Sequence, residues 1–217
     1  MQNLFLIFLI LFISNTAYAI SHLPDNINKK NKLPNAITTP IAIDQLPSYS
    51  SYPLAVQKLI TISDNLSKLN LTYLYGSSDP KNKGMDCSGT IYYVLKKMNI
   101  SDVPRQSDEQ FLWAEKKGKL YRVTSNHFDS IEFSNIKPGD LLFWSGTYST
   151  NRNSSISHVM IYLGKNKKNE RLMFGASDGR TYENKKMWGV SVFDFKLPNN
   201  KGKQRFEGYS CIPNLTC

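Results

Sequence analysis

The sequence predicts an α+β domain, in which helices flank a cysteine and a run of short strands follows. Three observations carry this reading. Behind Asp86-Cys87 the apolar residues Ile91, Val94, Leu95 and Met98 recur at helical spacing. His158-Val159-Met160-Ile161-Tyr162-Leu163-Gly164 is a short apolar run ended by glycine, the pattern of a buried strand. Gly189-Val190-Ser191-Val192-Phe193-Asp194-Phe195 alternates apolar and polar residues, as a strand with one buried face does.

Residues 1–19 begin with an apolar run, Leu4 to Ile13, and end on the small-x-small site Ala17-Tyr18-Ala19. This is the pattern of a secretory signal peptide, and the run is short for a membrane span. The segment before the run has no Lys or Arg, so a retained anchor is the alternative. Residues 20–52 are polar, with Pro24, Pro34, Pro40 and Pro47 along them, and read as an arm or linker without a core of its own. A single domain is expected over residues 53–217. Its first helix is placed at Leu54 to Leu69, where Val56, Leu59, Ile60 and Leu66 make the apolar stripe. Asp86 is a good N-cap for the helix that opens with Cys87. Ser107-Asp108-Glu109-Gln110 has capping-box spacing and is expected to start a short helix through Trp113. Strands are expected at Lys119–Val123, Leu141–Trp144, the His158 run, Arg171–Ala176, Gly189–Phe195 and Arg205–Ile212. The polar loop between Trp144 and His158 has two readings, a substrate-gating lid or a decorated surface loop.

The net charge of +10 draws the protein toward anionic polymers. The lysines are scattered and no nucleic-acid-binding motif surrounds them, so nucleic acid is not the expected partner. The three cysteines have no metal-site spacing, and neither a metal nor another cofactor is expected. Cys211 and Cys217 can close a small loop in an oxidising compartment, which leaves Cys87 as the odd thiol.

Cys87 is the candidate nucleophile. In the first turn of a helix it lies at the positive end of the dipole, which lowers a thiol's pKa and favours the thiolate. The competing reading is a small buried core cysteine. A base must be held rigidly within reach of the nucleophile. Of the three histidines, His22 lies in the polar arm and His127 in the loop Thr124–Asp129. His158 opens a core strand, so it is the candidate base.

Five blocks, in order, resemble the NlpC-type cysteine peptidases of bacterial cell walls. They are Tyr73-Leu74-Tyr75-Gly76-Ser77, Asp86-Cys87-Ser88-Gly89, Val103-Pro104-Arg105-Gln106-Ser107, Pro138–Trp144 and Ser157–Gly164. The resemblance implies a papain-like fold, with the nucleophile helix packed on an antiparallel sheet that carries the base. It implies Cys87 as nucleophile, His158 as base, Tyr73 with its hydroxyl beside the nucleophile, and Asp86 and Ser88 as substrate-binding neighbours. One position departs from the family. A third polar residue is usual on the strand after the base, and here that position is Gly175. Ser177, on the same strand face, and Asp178 are the candidates to orient His158, beside a main-chain carbonyl or a water.

The function this implies is an exported, periplasmic or extracellular cysteine endopeptidase acting on peptidoglycan stem peptides. Two alternatives stay open. One is a non-catalytic peptidoglycan-binding relative, suggested by Gly175. The other is an amidase or acyltransferase using the same Cys–His pair, since fold does not fix substrate.

Overall fold

The computed structural model describes residues 33–149, 154–199 and 201–217. The signal segment 1–19, His22, the first part of the 20–52 arm and the centre of the 145–157 loop lie outside the described residues.

Among the described residues, three α-helices precede or flank a six-stranded sheet. Helix α1 (Leu54–Ser67) buries Val56, Leu59, Ile60 and Leu66, the predicted stripe. Strands β1 (Thr72–Tyr73) and β2 (Gly84–Met85) form a small parallel pair that delivers the chain to α2 (Cys87–Lys97). Helix α3 (Ser107–Lys117) follows. Its N-cap is Gln106, whose backbone N–H donates to Glu109, so the cap lies one residue before the expected one and the helix runs a turn past Trp113.

The sheet comprises β3 (Leu120–Arg122), β4 (Leu141–Ser145), β5 (Ile156–Lys165), β6 (Arg171–Ser177), β9 (Gly189–Asp194) and β10 (Arg205–Ser210). Its order is β3-β10-β4-β5-β6-β9, and every pairing is antiparallel. A small hairpin, β7 (Thr181–Tyr182) with β8 (Lys185–Lys186), sits between β6 and β9.

Both faces of the sheet are covered, so β5 reads as continuous apolar sequence rather than as alternation. Val159, Ile161 and Leu163 share a core with the helices, including Ile91, Val94, Leu95 and Phe111. Met160 and Tyr162 point into a second cluster with Trp144, Met173, Phe193, Phe195 and Phe206. Burying a side chain of this size stabilises by roughly 1.5–3 kcal/mol, so two dry faces hold β5 firmly in register.

Residues 37–46 pack onto this domain. Ile37 exchanges backbone hydrogen bonds with Trp188 at 2.9 and 2.8 Å, and Thr39 does the same work on β9 through Ser191 and Val192. Ile41 and Leu46 are buried in the helical-side core. The segment therefore covers the β9 edge, where unpaired backbone groups would otherwise be open to another chain. At the other end Cys211 and Cys217 form the expected disulfide, with a Cα–Cα distance of 5.2 Å.

Candidate active site

The site is built where the start of α2 meets the start of β5. Asp86 caps α2: its Oδ1 accepts the Gly89 N–H at 2.6 Å, and its Oδ2 accepts the Gly76 N–H at 2.8 Å. Gly76 has φ +82°, a left-handed conformation that glycine adopts freely. Arg105 closes the cluster with a two-pronged ion pair, Nη1 to Oδ1 at 3.0 Å and Nη2 to Oδ2 at 2.8 Å. Its Nη1 also donates to Ser88 Oγ at 3.1 Å. Gln110 Nε2 donates to the carbonyls of Ser88 and Pro104, at 3.0 and 2.9 Å, tying α3 to the first turn of α2. Gly89 is needed for close approach: a Cβ there would lie 2.2 Å from the Ser77 carbonyl oxygen. These contacts give the three sequence blocks around Gly76, Cys87 and Arg105 a common physical purpose, which is to fix the Cys87 backbone.

Opposite them, β4 and β5 slip by one residue. Trp144 pairs with His158 and Ser145 with Ile156, which leaves Ser157 as a bulge. Bulges re-aim side chains and gather beside active sites. Ser157 is fully buried, its Oγ accepts the Thr147 N–H at 3.0 Å, and its carbonyl accepts the Cys87 thiol at 4.0 Å. Sequence reasoning missed Ser157, because a bulge leaves no mark on the apolar pattern.

Two clefts flank the cysteine and the histidine. One, of about 200 Å³, is lined by Cys87, Asp86, Ser88, Tyr73, Arg105 and Tyr148. The other, of about 610 Å³, is lined by His158, Ser177, Asp178 and Arg180 together with Tyr73 and Tyr148. Tyr73 and Tyr148 border both. Of the expected site residues, Cys87, Asp86 and Ser88 thus line the first cleft, His158, Ser177 and Asp178 the second, and Tyr73 borders both; Gly175 lines neither. His127 is exposed and paired with Asp129, away from both clefts.

The electrostatics correct one expectation. Burial raises the Cys87 thiol to about 11, with the Asp86 charge adding to the shift; the backbone N–H groups of Val159 and Ser88, and the Arg105 charge, oppose it only in part. The helix-start position therefore does not yield a low-pKa thiol here, because desolvation outweighs the dipole. His158 is pushed well below the ordinary imidazole value, first by burial and then by the Arg180 charge. At neutral pH the resting pair is a neutral thiol and a neutral imidazole. Tyr73 is raised by burial and by the charges of Cys87, Asp178 and Asp86, so its hydroxyl keeps its proton and can donate.

The partner of His158 is Arg180. Its Nε donates to His158 Nε2 at 3.2 Å, and its guanidinium carbon lies 4.2 Å from the Trp144 ring centre. Trp144 also flanks His158, with ring centroids 5.7 Å apart. Neither Ser177 nor Asp178 bonds His158; Ser177 Oγ instead accepts the Arg180 backbone N–H at 3.2 Å. Gly175 faces Met160, whose Cγ would lie 3.1 Å from an added Cβ. Arg180 escaped the sequence reading because it lies past the end of β6, and a cation is an unexpected neighbour for a base. Among the described residues no group of three or more His, Cys, Asp or Glu is placed to hold a metal ion.

The NlpC/P60 family model matches residues 70–204, which contain every residue of both clefts. The chain is 30% identical over 131 residues to the gamma-DL-glutamyl hydrolase of Bacillus subtilis, covering 58% of this chain and 27% of that protein. It is 30% identical over 114 residues to the murein DD-endopeptidase MepH of Escherichia coli, covering 52% of this chain and 36% of that protein. The chain thus spans between about a quarter and just over a third of the length of these relatives. A solved structure of a lipoprotein-like NLP/P60-family protein from Staphylococcus aureus overlaps 70% of this chain and 41% of that one, at 23% identity and a TM-score of 0.43.

Proposed function

This chain belongs to the NlpC/P60 family, and from that premise we propose that it is a cysteine-type hydrolase that cuts amide bonds in peptidoglycan stem peptides. The observation that supports this most is the seating of the odd thiol. Cys87 starts a helix whose cap, Asp86, is locked by Arg105, and its thiol abuts the bulge that precedes His158. Two relatives are named for hydrolysis of glutamyl and murein peptide bonds, the chemistry this site is suited to.

The residues divide the work as follows. Cys87 Sγ attacks the amide carbonyl while His158 takes the thiol proton. With the thiol at about 11 and the imidazole depressed, transfer occurs during attack rather than as a preformed ion pair. The backbone N–H of Cys87 stands in the first turn, where it has no acceptor within the helix, and supports the oxyanion with the Tyr73 hydroxyl. His158 returns its proton to the leaving amine. Water then hydrolyses the thioester. Asp86 and Ser88 border the cleft on the Cys87 side and bind substrate there. Residues 1–19 act as an export signal, residues 20–52 as an arm, and the peptidase domain spans 53–217. The positive charge favours an anionic wall polymer.

The test is incubation of the protein with purified sacculi and mass analysis of the released peptides. Stem-peptide fragments absent with Cys87→Ala are expected. Unchanged sacculi overturn the proposal. One observation favours a second reading, a wall-binding relative without catalysis: the guanidinium on His158 where a family member has an orienting polar residue. Binding to sacculi without release of fragments is its signature.

A further inference from the structure

Arg180 does more than neighbour the base. Its Nε and Nη2 form one side-on edge of the guanidinium, two parallel donors spaced for a carboxylate. Nε is spent on His158 Nε2, at 3.2 Å. Nη2 is buried and has no hydrogen-bond partner among the described residues. The fork is half used. The acids lining the same cleft do not complete it: Asp194 is bonded to Lys196 at 2.9 Å, and Asp178 makes no ion pair with Arg180. A buried unpaired donor is costly, so a ligand that supplies the missing acceptor regains that stabilisation.

The contact also fixes the state of the base. Arginine can only donate. While Nε2 accepts from Arg180, a neutral His158 must carry its ring proton on Nδ1. The one ring nitrogen left to serve Cys87 is then a donor, and it cannot take the thiol proton.

We propose that Arg180 recognises a carboxylate of the substrate, and that this pairing releases His158 to act as the base. The inference rests on the hydrolase reading for the roles of Cys87 and His158. A carboxylate entering the 610 Å³ cleft takes both Nε–H and Nη2–H. A charged bidentate acceptor outcompetes a single neutral imidazole for the same guanidinium. Freed, Nε2 gains a proton from water while Nδ1 loses one to water, with no net change. Nδ1 then accepts the Cys87 proton as Sγ attacks. Recognition and activation become one event, so peptides lacking the carboxylate leave the base blocked. Burial, which drags the guanidinium down to about 10, makes an anionic partner more favourable still.

Two measurements test this. In the first, stem tripeptides are compared in which the carboxylate beside the scissile amide is free or amidated. Wild type should favour the free acid in kcat/KM on the order of 10–100-fold, as expected for a charge-assisted pair. In Arg180→Gln the ratio should fall to near one; Arg180→Lys should keep part of the preference. An unchanged ratio in Arg180→Gln, or equal loss on both peptides, overturns the proposal. The second measurement does not depend on turnover. In ¹⁵N-histidine-labelled Cys87→Ala, the His158 ring should show the Nδ1–H tautomer alone and shift toward Nε2–H with the free-acid peptide, not with the amide. A resting Nε2–H tautomer, or no shift, overturns the proposal. If wild type cleaves neither peptide, the hydrolase reading fails for this substrate, and the ring signal still decides the role of Arg180.

Discussion

Cys87 should react slowly with alkylating reagents in the folded protein, against the usual behaviour of a thiol at a helix start. Burial and Asp86 hold it at about 11. At pH 8 such a thiol is ~0.1% thiolate, whereas an unperturbed cysteine near 8.5 is roughly one quarter thiolate. The folded protein should therefore label roughly 200-fold more slowly than the unfolded chain at that pH, since only the thiolate reacts. The assay is the second-order rate of iodoacetamide addition at Cys87, followed by mass from pH 6 to 10, with the disulfide intact. The rate should climb about tenfold per pH unit across this range, because the folded pKa lies above it. The charges around the thiol set the sign of two controls. Asp86→Asn removes an anion that raises the pKa and should speed labelling. Arg105→Ala removes a cation that lowers it and should slow labelling further. A rate that levels off below pH 8.5 would refute the reasoning, for it would mean that dipole and hydrogen bonds outweigh desolvation.

Other outcomes follow from the same geometry. Cys87→Ala and His158→Ala should each abolish turnover of a stem peptide, and the double variant should be scarcely worse than either, since nucleophile and base act as a unit; His127→Ala should match wild type, because that ring is exposed and outside both clefts. Replacing Cys211 and Cys217 with serine opens a short loop, the two residues being six apart in sequence, and should cost about 2 kcal/mol in urea unfolding. Gly175→His should cost about 1–3 kcal/mol and give no gain in kcat, since an added Cβ meets Met160 at 3.1 Å and Arg180 already holds His158 Nε2. A faster Gly175→His enzyme would show that the glycine is a simple vacancy in the catalytic set.

How much was legible in the sequence follows from the range of each signal. The helix at Cys87, its Asp86 cap and the β5 and β9 runs are local patterns, and they stand where they were read. The pairing of Cys211 with Cys217 needed only short spacing. The two-residue strands β1, β2, β7 and β8 are too short to carry a period. The α3 cap shifted by one residue because Gln106 and Ser107 both stand at plausible cap spacing. The packing of Ile41 and Leu46 was hidden by the polar, proline-dotted sequence around them. The two largest departures concern the site. The thiol's pKa depends on how completely it is buried, and the partner of His158 depends on a side chain returning from beyond β6. Neither is a property of neighbours in sequence.

The central claim is that Cys87 carries the acyl group of a peptide during hydrolysis. The direct measurement is an acid quench of the wild-type protein turning over a stem peptide, followed by mass analysis of the peptide containing Cys87. The account predicts an adduct on Cys87 equal to the acyl half of the substrate, removed by hydroxylamine and absent in His158→Ala. Hydrolysis that persists in Cys87→Ala, or turnover with an acyl group found elsewhere in the chain, would contradict it.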